Sequence, residues 1–235
     1  EREQLYELME NMIAYIFKKT LGREVKTPFL RLPYAEAMGR FGSDKPDLRF
    51  GMELKEVTDI AKESQFQVFA SIAANGGQVK GINAEGCAKY SRKDIDDLTK
   101  VAGIYGAKGL AYFIVEENGV KSPIAKFFAE EQIKEICTRL EAKPDDLLLF
   151  VAADPYTVAD SLGHLRLEIA KRENLQDPDE LNFLWVTDFP LFEFSKEENR
   201  WTAMHHPFTS PRDEDLPYMD TDPGRVIAKA YDMVL

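Results

Sequence analysis

The sequence is organised around residues 182–209, NFLWVTDFPLFEFSKEENRWTAMHHPFT. This stretch opens with an apolar, β-branched and aromatic run at 183–194, which Pro190 interrupts. A short polar link at 195–200 leads to a second run, 201–209, that ends in HHPFT. Two such runs joined by a polar link predict an antiparallel strand pair. Pro190 has no N–H to donate, so we expect it at a bulge, a strand end or a sheet edge.

Two of the three histidines, His205 and His206, lie at the end of the second run. Adjacent residues of a strand point to opposite faces, so this pair is poorly placed to chelate one ion, and no third His or Cys is near in sequence. We therefore expect no metal site. An imidazole in a pocket can hydrogen-bond an anionic small molecule, and a nearby carboxylate would raise its pKa. From the residues alone, ligand recognition and structural packing stay open as alternatives.

The composition is that of a soluble globular protein, with 44% apolar and 30% charged residues. The net charge of −11 argues against a DNA-binding protein, which needs a basic face, and leaves room only for local contacts with RNA. No apolar run reaches the roughly 18 residues that span a bilayer, and the N-terminus lacks a signal-peptide pattern. We expect a cytoplasmic protein without membrane contact, whose two distant cysteines, Cys87 and Cys137, are reduced thiols.

Both ends of the sequence have the pattern of interrupted helices. Glu1 is expected to lie already inside a helix, whose apolar residues recur at helical spacing up to Gly22. Near the other end, Asp222-Pro223 is a good helix start, and apolar residues follow it to Leu235 without a stop signal. We therefore expect a piece of a longer protein.

The middle of the chain predicts an alternation of hairpins and helices. Residues 65–72 alternate apolar and polar side chains, and a strand is expected to return at 79–82 after an Asn-Gly-Gly turn. Ser91, with Asp94 three residues on, resembles a capping box. Asn118-Gly119 is a hairpin signal between a strand at 109–115 and its partner. A second helix is expected around 133–140, and the pattern predicts a two-layer α+β unit.

Further along, residues 147–153 predict a buried strand, and Asp154-Pro155 caps a helix that carries His164 beside its apolar stripe. We interpret His164 as a surface or core-edge residue. The acidic residues at 213–222 lack EF-hand spacing and are interpreted as a solvated loop. GxGxxG, GxxxxGK[ST], GxSxG and HExxH motifs are all absent from the sequence.

Several segments resemble the bacterial-type aspartyl-tRNA synthetases. They are WVTDFPLFE at 185–193, HHPFT at 205–209, FGSDKPDLR at 41–49 and the terminal DP…AYD at 222–232. The middle of the chain resembles the insertion (GAD) domain that these enzymes share with a subunit of the tRNA-dependent amidotransferase. The resemblance covers essentially the whole chain.

The resemblance implies an α+β fold with two parts. One part is a two-layer insertion domain with an antiparallel sheet and helices. This domain is inserted into part of a class II synthetase catalytic domain, which also contains an antiparallel sheet. Residues 1–64 and 154–235 would belong to the catalytic domain, and residues 65–153 would form the insertion domain. The implied reaction joins L-aspartate to ATP and passes the aspartyl group to tRNA. It implies ATP and Mg²⁺ as cofactors and a homodimeric parent enzyme.

Carried over residue by residue, the resemblance makes His205 the aspartate-contacting histidine, with His206 second in the same pocket. The family's arginine-bearing motif 2 and its glycine-rich ATP segment have no match in the sequence. No catalytic, cofactor-binding or metal-binding residue is therefore expected, and the chain alone is predicted to be inactive. The alternative is a non-catalytic module that contacts tRNA or protein through the insertion domain.

Overall fold

The fold was obtained as a computed structural model, which describes residues 2–195 and 197–235. The chain divides into two compact units: unit 1 is Glu1–Ala37 with Pro178–Leu235, and unit 2 is Met38–Asp177. Unit 2 is larger than the insertion domain predicted at 65–153, and those narrower limits stay a prediction. None of the helices in the described ranges combines the length and apolar character that a bilayer span requires.

Unit 2 is built on a five-stranded sheet in which every neighbouring pair is antiparallel. Its strands are β2 (Lys55–Glu56), β3 (Gln78–Ala84), β4 (Ala111–Glu116), β5 (Gly119–Lys121) and β6 (Leu147–Ala153), in the order β2-β3-β6-β4-β5. The central pair β3–β6 is in register from Gln78 opposite Ala153 to Ala84 opposite Leu147.

Helices cover both faces of this sheet. They are α3 (Thr58–Glu63), α4 (Gln67–Ala74), α5 (Arg92–Ile104), α6 (Glu130–Arg139) and α7 (Pro155–Arg172). Helices α5 and α7 pack on the face of Leu147 and Leu149, whereas α3, α4 and α6 pack on the face of Leu148 and Phe150. The unit therefore has three layers instead of the predicted two. The buried strand β6 needs cover on both sides, because residues 147–151 are all 0–1% exposed.

Predictions that rest on local signals are confirmed in unit 2. Ser91 caps α5 in a capping box, since its backbone N–H donates to Asp94 Oδ2 at 2.8 Å and its hydroxyl accepts from the Asp94 N–H at 3.3 Å. The turn at Gly119, with φ of 133°, joins β4 to β5. Asp154 caps α7. Cys87 and Cys137 are free thiols whose pKa is raised by burial.

The strand predicted at 65–72 is wrong, because these residues lead into the helix α4. A half-buried strand would bury Phe66, Val68 and the other alternate residues together. Instead Phe69 is the buried residue of this segment, and Val68 is 54% exposed. The apolar side chains at 66, 69, 70 and 73 also fit one face of a helix, which an alternating pattern does not exclude.

Unit 1 contains a three-stranded sheet of order β1-β7-β10. Its elements are α1 (Arg2–Leu21), β1 (Leu30–Pro33), the helix α2 (Tyr34–Phe41, which continues into unit 2), β7 (Leu184–Thr187), β8 (Phe192–Ser195), β9 (Arg200–Ala203) and β10 (Tyr231–Val234). β1 runs parallel to β7 and β10 antiparallel, so this sheet is mixed. Tyr6, Phe29 and Trp185 form the core between α1 and the sheet.

Two expectations for unit 1, the buried face of α1 and a helix after Asp222, differ from the structure. Gly22, with φ of 66°, ends α1 as predicted, but the helix buries Tyr6 and Glu10 and leaves the expected apolar stripe largely exposed. The helix predicted after Asp222 is wrong: a 3-10 turn at Pro223–Arg225 leads to the strand β10. Asp222 makes no side-chain cap there. Glu1 lies outside the described residues.

Candidate substrate-binding site

The site is built where the central strand of unit 1 ends. All four residues of β7 are buried between β1 and β10, and the Trp185 indole donates from Nε1 to Glu10 Oε1 at 2.9 Å. Directly after the strand, Asp188 has a φ of 62°, in the left-handed region that an Asp tolerates better than most residues. This turn divides the predicted run 183–194 into two strands, β7 and β8. The predicted pairing of the second half with 201–209 is confirmed for β8 and β9 only.

Pro190 follows the turn and lies at an isolated bridge opposite Ile227, near the strand end that was expected for it. The neighbouring Phe189 is buried and packs against Tyr34 at a centroid distance of 5.2 Å. Its carbonyl accepts from Ala228 N–H at 2.8 Å. The segment after β7 is therefore fixed by backbone bonds to the chain that leads into β10.

His205 lies in a bend two residues beyond β9, not in the strand itself. Its Nε2 is 3.1 Å from the Pro190 carbonyl oxygen, and its ring meets the Phe189 ring edge-on at 5.7 Å. A carbonyl only accepts, so Nε2 carries the proton. Within the described residues Nδ1 has no hydrogen-bond partner, and the half-buried ring thus offers one nitrogen to a ligand.

His206 has a different environment. It is exposed, its Nδ1 accepts from the Phe208 N–H at 3.2 Å, and its ring lies edge-on to Phe208 at 4.7 Å. Its carbonyl accepts from the Thr209 N–H at 2.8 Å, so the residue also stabilises the turn at 206–209. Because both histidines lie beyond the end of β9, the strand argument that separated them does not apply. The described residues nevertheless contain no group of three or more His, Cys, Asp or Glu side chains that could hold a metal.

Charged side chains hold the segment after HHPFT in place. The Arg212 guanidinium donates to Asp188 Oδ1, and both side chains are about one-third exposed, 27% for Arg212 and 33% for Asp188. The Arg212 N–H also donates to the Ile227 carbonyl at 2.9 Å. No local sequence pattern predicts this pair, because its members are 24 residues apart and each lies in a loop.

Two carboxylates of the acidic run make structural contacts that the expected solvated loop does not include. Asp215 Oδ2 accepts from the Ile227 N–H at 3.0 Å, and Asp213 pairs with Lys229 at 2.6 Å. The run begins a 3-10 helix, Asp213–Tyr218, and its carboxylates fix the strand-like segment at 226–229. Their role in the described chain is therefore structural.

The FGSDKPDLR segment belongs to unit 2, where the buried Arg166 of α7 donates hydrogen bonds to Asp47 of this segment and to the residues that follow it. This side chain is 1% exposed and donates to the carbonyls of Asp47, Phe50 and Gly51 at 2.6–3.2 Å. Its guanidinium lies 4.0 Å from the centre of the Phe50 ring. Burial lowers the pKa of Arg166 to about 10, so the group stays charged at neutral pH.

His164 has the structural role that was expected. Its ring stacks on Tyr105 at 3.6 Å, and its Nδ1 is 2.9 Å from the Asp160 carbonyl oxygen.

Comparison with known proteins identifies the relatives. Residues 69–162 match the GAD domain. All 235 residues align at 60% identity with the Aspartate--tRNA(Asp/Asn) ligase of Heliobacterium modesticaldum, 39% of whose length they cover. Identity is 56% to the ligase of the same name from Geotalea uraniireducens and 55%, over 99% of the chain, to the Aspartate--tRNA ligase of Ruminiclostridium cellulolyticum. The chain spans about two-fifths of the length of these curated relatives. Over its full length the chain is therefore similar to these aspartate–tRNA ligases, and its residues 69–162 match the GAD domain.

Proposed function

We propose that this chain is part of an aspartate–tRNA ligase, which joins L-aspartate to ATP as aspartyl-adenylate and then transfers the aspartyl group to tRNA. The observation that carries the proposal is 60% identity to such a ligase across 100% of the chain, an alignment that includes the whole His205 site. In this chemistry the substrate carboxylate attacks the α-phosphate and pyrophosphate leaves. The enzyme needs no nucleophile of its own and contributes positioning and charge stabilisation.

His205 is the residue that we propose to contact aspartate. Its Nε2 is used by the Pro190 carbonyl, which fixes the ring and leaves Nδ1 for the substrate. A protonated ring would donate from Nδ1 to a carboxylate, whereas a neutral ring would accept from the substrate ammonium group. The pH dependence of aspartate binding therefore reports which substrate group the ring meets.

His206 is proposed as a weaker contact in the same pocket. Its Nδ1 is already engaged by the Phe208 N–H, so only Nε2 is open to a ligand. The exposed position of the ring also reduces what any such bond can contribute, because water competes for it.

The test uses an intact ligase that contains this segment. His205→Ala is expected to raise the KM for aspartate roughly 10- to 100-fold with a smaller change in kcat, because a hydrogen bond to a charged group contributes about 1.5–3 kcal/mol. His206→Ala is expected to change KM less than about threefold by the same argument. His164→Ala, which removes a histidine from unit 2, is the matched control and should leave KM unchanged. An unaltered KM in His205→Ala would refute the assignment.

We propose ATP and Mg²⁺ as cofactors of the whole ligase, and we propose that this chain alone binds neither. Its described residues contain no acidic or histidine cluster that fits a metal, and Arg212, which could meet a phosphate, is paired with Asp188. We therefore propose that the chain alone does not form aspartyl-adenylate. ATP–pyrophosphate exchange should be absent with the purified chain and present with an intact ligase. Measurable exchange by the chain would overturn this proposal.

The match of residues 69–162 to the GAD domain favours one alternative, a non-catalytic module that contacts tRNA or protein. Filter binding of the chain to an aspartate tRNA tests it. Tight binding that is insensitive to His205→Ala and to aspartate would favour the module. The ligase proposal predicts instead that aspartate protects His205 from chemical modification in the intact enzyme.

The remaining features of the whole ligase are proposals of the same kind. We propose that residues 1–64 and 154–235 belong to its catalytic domain and 65–153 to its insertion domain, and that the ligase is a cytoplasmic homodimer. Sedimentation of the intact ligase tests the dimer.

A further inference from the structure

A cavity of about 420 Å³ lies in unit 2, and none of its lining residues belongs to the candidate substrate-binding site. It is bounded by α4, by the beginning of β4, by the end of β6 and by the chain that follows β5. Its apolar wall includes Phe66, Phe69, Ile72, Ile124 and Phe150. The rings of Phe66 and Phe69 are 4.9 Å apart, and those of Phe69 and Phe150 are 6.5 Å apart. The volume falls in the range of roughly 300–1,000 Å³ that is usual for small-molecule sites.

The cavity exists because two features of the sheet leave this corner open. β5 pairs only with Ile114–Glu116 of β4, and after Lys121 the chain turns away through Pro123. On the floor of the cavity, Ala111 and Ala152 stand where neighbouring positions of the same face carry Phe or Leu. The aromatic side chains that line a space of this size lack van der Waals contacts on one side, and a bound ligand would supply them.

Among the described residues that line the cavity, Lys108 alone is charged. The side chain is exposed, and in the described part of the chain no carboxylate pairs with it. An unpaired cation beside an aromatic wall is complementary to a molecule with an apolar body and one negative group. The overall charge of −11 makes a lysine without an acidic partner less expected at this place.

We propose that this cavity binds a small aromatic or aliphatic carboxylate, with its apolar body among Phe66, Phe69 and Phe150 and its carboxylate at Lys108. The site lies in unit 2 and is independent of the ligase chemistry assigned to unit 1. It gives the insertion domain a ligand-binding role of its own.

Titration of the whole 235-residue chain with 2-naphthoate tests the proposal, with 2-naphthalenemethanol as the neutral counterpart of the probe. Saturable binding of 2-naphthoate at a stoichiometry of one is expected. Lys108→Gln should weaken naphthoate about two- to fivefold, as for an exposed ion pair, and leave the alcohol unaffected. Lys93→Gln, on the exposed side of α5, is the matched control and should change neither.

Ala152→Leu fills the floor of the cavity and should weaken both probes at least tenfold. Should that variant fail to fold, methyl NMR of the unmodified chain decides instead. Naphthoate should shift the methyl signals of Ile72 and Ile124 and leave Ile95, on the opposite face of the sheet, unmoved. Absence of saturable binding at millimolar probe, shifts confined to residues outside the cavity, or equal affinity for both probes would each overturn the proposal.

Discussion

Asp47, in the FGSDKPDLR segment, is expected to stabilise unit 2 by about 2 kcal/mol at neutral pH, and this contribution is lost as pH falls through about 2. Its carboxylate accepts from the Arg49 N–H at 3.0 Å, from the Arg49 guanidinium at 2.8 Å and from Gln176 Nε2 at 2.8 Å. The side chain is only 14% exposed. Asp47→Asn keeps the shape and removes the charge, so it isolates the electrostatic part of these contacts.

The magnitude follows from the pKa of the carboxyl group. Burial by itself would raise the pKa of Asp47, but the hydrogen bonds from Arg49 and Gln176 outweigh it and lower the pKa from 3.8 to about 2. A difference of about 1.8, at about 1.36 kcal/mol per pKa unit, corresponds to ~2 kcal/mol. Because the folded-state pKa is the lower one, this stability is present above about pH 4, falls as the pH drops below that value and is lost as pH falls through about 2.

Urea unfolding of the chain and of Asp47→Asn, at several values between pH 7 and pH 2, measures this difference. The probe must report on unit 2, and both tryptophans, Trp185 and Trp201, lie in unit 1. Methyl NMR signals of Leu147–Leu149 in the core of β6 are suitable. Asp44→Asn, in the same loop, is the control and should have no comparable effect. A difference that stays constant down to pH 2, or one below about 0.5 kcal/mol at pH 7, would refute the reasoning.

Two further predictions concern buried contacts. Glu10→Ala should destabilise unit 1 by about 1–3 kcal/mol, because it leaves the buried Trp185 N–H without an acceptor. Glu10→Gln keeps an acceptor and should destabilise unit 1 less. Tryptophan fluorescence during urea unfolding measures both free-energy changes. Gly42→Ala should destabilise unit 2 by more than about 3 kcal/mol, since φ is +69° and a Cβ would lie 2.1 Å from the Ala159 carbonyl oxygen. Gly39→Ala, where a Cβ meets nothing within 4 Å and the residue is helical, should instead be neutral or stabilising by up to about 1 kcal/mol. Equal effects at positions 42 and 39 would contradict the steric argument.

Features that depend on a few consecutive residues were predictable from the sequence. The capping box at Ser91, the Asn-Gly turn before β5 and the Asp154 cap each satisfy backbone groups within one turn, so the local residues decide them. The helix α4 was missed because its apolar residues fit both an alternating and a helical pattern. The strand β10 was missed because what favours it is pairing with β7, a distant strand.

The candidate site was predictable only in its histidines. HHPFT drew attention to His205, but the contacts that fix the ring come from Pro190 and Phe189, and the Asp188–Arg212 pair joins two loops. Arg166 is the clearest omission. A single arginine on an otherwise apolar helix face gave no sign that it would be buried under the carbonyls of a loop more than 100 residues away in sequence.

The pairing of β1 with β7 has a consequence for the order in which the chain matures. Leu30 lies opposite Leu184, so the sheet of unit 1 cannot close until all of residues 38–177 have been synthesised. β10 then joins only when residues 231–234 have been synthesised. Unit 2, by contrast, is one continuous segment and can acquire its structure earlier during translation. Once unit 2 has folded, most of the chain between β1 and β7 is already ordered, and the unfolded segment that must be closed to pair these strands is much shorter. The entropic cost of forming the His205 site is therefore lower.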